Sequence, residues 1–160
     1  MPPPRPDHCL LIYHRSLESL TLQGNDFIIY HSRPIFISLS VALRNMRGCT
    51  ILRLIDNKFK DGEMNLILKE LIKNYRIKTF QLTNVKYSDD LADFITENEG
   101  VDDFMLSLVE PNESNMERIM RALVNNHSLI HIDMPFMSRY RQTIIRSITT
   151  RNIQIKNTKQ

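Results

Sequence analysis

The chain has no tryptophan, only four glycines among 160 residues, and two cysteines. Each scarcity removes a class of protein. Two cysteines cannot build the disulfide framework of a small secreted domain. Four scattered glycines leave no Gly-rich loop to cradle a phosphate, and neither His-Glu-x-x-His nor Cys-x-x-Cys occurs. No apolar run approaches the roughly 20 residues of a membrane-spanning helix. Cys9 to Tyr13 is too short for a signal-peptide core and lacks a small-residue cleavage site. The chain is therefore expected in the cytoplasm, or inside a host cell if it is a translocated effector. Asp89-Asp90 and Asp102-Asp103 are paired carboxylates, but neither has the glycine turn of a calcium loop. Cys9 lies beside His8 and near His14 with no further ligand spacing, so neither a metal nor a nucleophile is assigned there. No Ser-His-Asp arrangement can be placed. The sequence predicts no catalytic residue, no metal and no cofactor.

What the chain does contain is a repeat. Apolar residues recur at relative positions 1, 4 and 6 in Leu17-Leu20-Leu22, Cys49-Leu52-Leu54, Ile77-Phe80-Leu82, Val101-Phe104-Leu106 and Leu129-Ile132-Met134. A partial sixth copy, Thr150-Ile153-Ile155, stands near the C-terminus. The starts are separated by 32, 28, 24, 28 and 21 residues, a spacing close to that of strand–helix repeats. Cys49 falls at an otherwise aliphatic position and is expected to be buried.

Between these strands the period changes from 2 to about 3.6. Met64, Ile67, Leu68, Leu71 and Ile72 share one helical face, and Met116, Ile119, Met120, Leu123 and Val124 repeat the same offsets. Leu91, Phe94 and Ile95 give a shorter stripe, Tyr140, Ile144, Ile145 and Ile148 a later one, and residues 35–46 an earlier one. Ser114-Asn-Met-Glu117 has capping-box spacing, and Asp61, Ser88 and Ser32 (two residues before Pro34) are further helix starts. Asn74, Asn98 and Asn126 each stand three residues before a strand's first apolar position. Asparagine tolerates the left-handed conformation that closes many helices, which is the role expected of them.

The stretches Leu17-x-x-Leu-x-Leu-x-x-Asn25 and Cys49-x-x-Leu-x-Leu-x-x-Asn57 resemble the leucine-rich-repeat consensus. Strand, asparagine, then a full helix resembles the ribonuclease-inhibitor-like class, over roughly residues 17–155. The resemblance implies an α/β solenoid, a right-handed superhelix with a curved parallel sheet inside and helices outside. In that family the asparagine bonds backbone groups of neighbouring turns as a ladder. The ladder position holds Val85, Val109 and Met137 in the later repeats, with Asn84 one residue early, so those turns should be less regular. Ile77-Lys-Thr-Phe-Gln-Leu-Thr-Asn84, followed by Asp90-Leu-Ala-Asp-Phe94, is also similar to the repeat domain of tropomodulin, an actin pointed-end capper.

The expected organisation is a Pro-rich lead (residues 1–7), a repeat domain (8–155) and a basic tail (156–160). Within the domain, residues 8–16 form the cap, and five to six repeats start near 17, 49, 77, 101, 129 and 150. Residues alternating with the buried strand positions should line the concave face. They are Thr21 and Gln23, then Ile51, Arg53 and Ile55, Thr79 and Gln81, Asp103 and Met105, and His131 and Asp133. Ser19, Thr83, Ser107 and Pro135 complete the rows. One basic residue and no aromatic run disfavour nucleic acid there and suit a protein partner.

Charge is segregated. Residues 89–117 carry ten acidic and no basic residues, and residues 118–160 carry eight basic and one acidic. The acids of the third helix (Asp89, Asp90, Asp93, Glu97) either solvate a convex face or form a docking band for a basic partner. The reading is a non-enzymatic protein–protein interaction scaffold, monomeric or weakly dimeric. Its alternative is a regulatory or targeting subunit: a ubiquitin-ligase adaptor, an actin regulator or a translocated bacterial effector.

Overall fold

The computed structural model describes residues 16–26, 33–60, 62–135 and 137–159. Strands and helices alternate throughout: β1 (Ser19–Gln23), α1 (Arg33–Asn45), β2 (Ile51–Ile55), α2 (Glu63–Ile72), β3 (Thr79–Val85), α3 (Asp89–Glu97), β4 (Asp103–Leu108), α4 (Glu113–Asn125), β5 (His131–Asp133) and α5 (Arg139–Thr158). The strands form one parallel sheet in chain order, β1 to β5. The chain is a leucine-rich-repeat solenoid. The Pro-rich lead, the proposed cap except Ser16, Cys9 with its histidines, and the starts at Ser32 and Asp61 lie outside the described residues.

Alternation along each strand divides the sheet. Leu52 and Leu54, Phe80 and Leu82, Phe104 and Leu106 point inward and are almost fully buried against the helices. Phe80, Phe94 and Phe104 meet in the middle, with ring centroids 5.4 to 5.8 Å apart, a spacing at which aromatic pairs attract. The helix stripes supply the other wall through Ile67, Leu68 and Leu71, then Leu91, Phe94 and Ile95, then Met116, Ile119, Met120 and Leu123. Two stripe members depart from expectation. Val124 and Tyr140 are 44% and 76% exposed, because each sits at the flank of its stripe, where the helix surface turns from the sheet to solvent. Cys49 is buried, and loss of solvent pushes its thiol pKa up.

The helix-to-strand corners are made by the recurring asparagines, but not in a left-handed conformation. Asn98 and Asn126 are extended (φ −71° and −77°), and their side chains are buried with Asn74's. Asn74 Nδ2 donates to the Leu43 carbonyl and Asn98 Nδ2 to that of Leu71, each at 2.9 Å. Asn126 Nδ2 donates to the Ile95 and Asn98 carbonyls at 2.7 and 3.0 Å. Each Oδ1 accepts amides of its own corner, such as Ser128 and Leu129 for Asn126. The corner needs a donor reaching the previous turn and an acceptor facing its own. Asparagine carries both.

The strand-end ladder exists where it was expected. Asn25 donates its amide N–H and its side chain to Asn57 Oδ1 (3.1 and 2.9 Å), and Asn57 donates to the Leu22 carbonyl. Downstream, Val85 fills the position by burial instead. Asn84 has a different role. It occupies a left-handed site (φ 56°) equivalent to Gly24 and Asp56 (φ 67° and 53°), each seven residues after its repeat's start.

Helix α3 starts on Ser88, whose Oγ accepts the Leu91 amide at 3.2 Å. The expected box at Ser114 does not form: α4 begins earlier, on Asn112, whose Oδ1 accepts the Asn115 amide at 2.8 Å. Gly100 lies where adjacent corners nearly touch. A Cβ there would come 2.8 Å from the Tyr75 Cα and would also meet the Asn74 carbonyl.

The sixth strand expected near Thr150 is absent. α5 runs through it for 20 residues, taking in Lys156 to Thr158 of the expected tail. No glycine or proline interrupts 139–158, and Ile145, Ile148 and Asn152 are buried at helical spacing while Ile153 is 43% exposed. A continuous helix satisfies its own backbone through this segment, so β5 remains the last strand of the sheet.

Candidate functional site

Parallel pairing in register sets the outward residues of successive strands side by side. One row runs Ser19, Ile51, Thr79, Asp103, His131, and the next Thr21, Arg53, Gln81, Met105, Asp133. Gln23 and Ile55 begin a third. The sheet therefore brings together all eleven residues expected on this face. Those on the central strands are half-buried by the neighbouring rows, whereas Thr21, Gln23, His131 and Asp133 are exposed.

Several polar groups on the face bond one another. Arg53 donates to Ser19 Oγ at 3.2 Å, and His131 Nδ1 lies 2.7 Å from Asp103 Oδ1. At the rim, Thr83 Oγ1 accepts the Asp56 amide, and Asn84 donates to the Asp56 carboxylate. The surface is a shallow, pre-formed array of small polar groups interrupted by Ile51, Ile55 and Met105. Such an array suits an extended contact with another macromolecule.

The acidic band lies on the opposite, helical side. Asp89 pairs with Arg118 of α4 at 2.5 Å and accepts the Tyr87 hydroxyl at 2.8 Å, while Asp90 reaches Lys69 of α2 at 3.6 Å. Bonds from Tyr87 and Arg118 hold the Asp89 carboxyl below the usual carboxylate range. Burial is the main cause of the raised Tyr87 pKa. Asp93 and Glu97 are exposed and have no ion-pair partner among the described residues. The four acids thus divide into two that tie helices together and two that face water.

Those ties belong to a series that sequence reading missed. Arg44 of α1 pairs with Glu70 of α2, Lys69 with Asp90, Asp89 with Arg118, and Glu113 of α4 with Arg141 of α5. Partners stand 21 to 29 residues apart, about one repeat, so opposite charges at that spacing were the available signal. The basic terminal helix is engaged in the same way. Lys156 pairs with Asp102 at 2.9 Å, and Arg151 donates to the Val124 and Asn126 carbonyls that end α4.

Among the described residues no three His, Cys, Asp or Glu side chains gather into a metal-sized cluster, and no helix is long and apolar enough to cross a membrane.

Sheet, register and corners define a class of protein, the short leucine-rich-repeat solenoid. Two solved structures are similar to the chain within it. One is the actin-binding site 2 of leiomodin-1, with a TM-score of 0.68 at 14% identity, covering 86% of this chain and 83% of that one. The other is the tropomodulin C-terminal domain of Caenorhabditis elegans, with a TM-score of 0.68 at 13% identity, covering 96% and 97%. At these identities the likeness shows the shared fold. No protein-family model matches the chain, and no curated protein sequence matches it.

Proposed function

We propose that the chain is a non-enzymatic interaction scaffold of the ribonuclease-inhibitor-like class that binds a protein partner across the concave strand face and its edges. The supporting observation is the in-register array itself, an open surface of polar groups, some of them paired, with apolar residues on β2 and β4 at either side of the central strand. Arg53 and Met105 occupy one row on β2 and β4 and anchor the middle of the contact. The two free acids, Asp93 and Glu97, lie on the opposite, helical side and steer a basic region of a partner that reaches round the edge of the sheet. The scaffold works in the cytoplasm, as a monomer or weak dimer, and requires no cofactor.

A second reading has its own support. The fold is shared with leiomodin-1's actin-binding site 2 over most of both chains, so the partner to try first is actin. The chain then acts as a regulatory subunit on filaments.

One experiment addresses both. Co-sedimentation with actin filaments and pull-down with cross-linking are run on wild type, Arg53→Glu and Met105→Asp. Loss of a specific partner in both variants is expected; a partner retained by both means that the concave face is not the site. Absence of actin from the pellet and from the cross-links removes the second reading alone. Neutralising Asp93 and Glu97 should weaken binding more at low salt than at high salt. Unchanged, salt-insensitive binding excludes these acids from the site.

A further inference from the structure

The corners that carry each helix into the next strand lie along one edge of the sheet, and their charges are segregated. The corner between α2 and β3 (residues 73–78) holds Lys73, Arg76 and Lys78, all exposed, and no carboxylate. The next stretch, from the last residue of α3 to β4 (97–102), holds Glu97, Glu99 and Asp102 and no base. The two corners abut, since a Cβ on Gly100 would come 2.8 Å from the Tyr75 Cα. Even so, their charges do not pair with each other. Arg76 turns toward the earlier repeat and donates to the Arg47 carbonyl at 2.9 Å, and Lys78 donates to the Gly100 carbonyl at 3.0 Å. Lys73 stands near Glu70, which Arg44 already holds. Asp102 is taken by Lys156 at 2.9 Å. Glu97 and Glu99 are exposed, with no ion-pair partner among the described residues.

Glu97 also stands where its own helix disfavours it. The carboxyl end of a helix carries partial negative charge and favours cations. α1, α2 and α5 have a base in the last turn (Arg44, Lys69 and Lys156), whereas α3 has none and closes on a glutamate. A cation from outside the helix relieves an acid kept at that position. Beside it opens a cavity of about 540 Å³ at the ends of α3, α4 and α5, where Glu97, Glu99, Asp102 and His127 meet Lys156 and Lys159. With Lys156 bonded to Asp102, two carboxylates there are left with one lysine.

We propose that this edge is a self-association surface, on which a second copy of the chain docks about a two-fold axis near Tyr75. Antiparallel apposition sets Lys73 and Arg76 of each copy against Glu97 and Glu99 of the other, so one contact is made twice. Tyr75 lies between the two bases in sequence, abuts Gly100 through its backbone and is 62% exposed, and it supplies apolar area at the axis. A basic peptide would satisfy the acids and leave the neighbouring cations unpaired, and an acidic peptide would do the reverse. A second copy answers both. Two adjoining corners are small beside a standard interface, so the dimer is weak and salt-sensitive. Pairing covers Glu97, so a partner steered by that acid engages the monomer.

Sedimentation equilibrium of the purified chain tests this with no other partner present. At about 20 mM salt, wild type is expected to dimerise between about 0.1 and 1 mM, and at about 500 mM salt to be monomeric. K73E/R76E and E97K/E99K should each weaken the dimer by about tenfold or more, and an equimolar mixture of the two should form a heterodimer. The quadruple variant K73E/R76E/E97K/E99K keeps the wild-type net charge and should dimerise again, which separates local complementarity from net charge. All these positions are exposed, and circular dichroism melts confirm that the variants fold. The proposal is overturned if wild type stays monomeric at low salt up to about 1 mM, or if either double variant dimerises like wild type. It is equally overturned if the quadruple variant stays monomeric, or if association runs past the dimer into open chains.

Discussion

At the scale of the residue, Asn126 shows how much one side chain can join. It is 1% exposed and links three segments: the end of α3, the corner at Asn98 and the start of β5. Asn126→Ala leaves the Ile95 carbonyl and the Ser128 and Leu129 amides without their side-chain partner, while the Asn98 carbonyl keeps the Ser128 hydroxyl, at a cost of about 2–4 kcal/mol by urea unfolding. Asn25→Ala, at the half-exposed strand-end ladder, should cost about 1 kcal/mol by the same measurement. Equal losses would mean that the corner asparagines have no special structural weight. Their recurrence was legible in the sequence, but their conformation was not. A left-handed cap and a buried bridge place asparagine at the same offset. What distinguishes them is a carbonyl one repeat earlier, which local sequence does not reveal. Glycine, aspartate and asparagine recurring at 24, 56 and 84 could have been read, since these residues most readily accept positive φ.

At the scale of the element, the helices are joined to their neighbours by one charge pair or two. The hydrogen bond from Arg44 holds the Glu70 carboxyl below the usual carboxylate range. A depressed folded-state pKa contributes stability that is fully present above the unfolded value and is lost as pH falls through the folded one. Wild type should therefore exceed Glu70→Gln in urea midpoint at neutral pH, by the small margin typical of exposed pairs. The two should converge on acidification; a gap that persists at low pH would show that the pair is not its source. Strand positions 4 and 6 and the inner helix stripes were legible because period 2 and period 3.6 write burial directly into the sequence. The final element was misread for the same reason in reverse. Ile153 and Ile155 fit a strand spacing, and only the helix's continuous reach from Ile145 to Asn152 decides against it.

At the scale of the whole molecule, α5 closes the stack. Asn152 donates to the Asn126 and Leu129 carbonyls at 3.2 and 2.8 Å, and Ile145 and Ile148 cover the last strand's side of the core. Repeat proteins unfold as neighbouring units coupled through their interfaces, so removal of an end propagates inward. Truncation before Ser138 should broaden the thermal transition and expose apolar surface to a dye such as ANS. A sharp transition without dye binding would mean that α5 is dispensable. The eleven concave residues were legible as a set, because register follows from repeat spacing. The groove lined by Lys58, Lys86 and Val109 was not, since it is assembled from loops of three different repeats.

The corners also have a direction. Each begins when two amides of a new turn donate to one carbonyl of the turn before: Thr50 and Ile51 to Glu18, Lys78 and Thr79 to Thr50, Asp102 and Asp103 to Lys78, Ile130 and His131 to Asp102. The buried asparagines reach the same way, always toward the amino terminus. Acceptors are thus in place before their donors are synthesised. A chain leaving the ribosome would present every finished turn as a template for the next one, and the growing tip would stay receptive until the closing helix arrives.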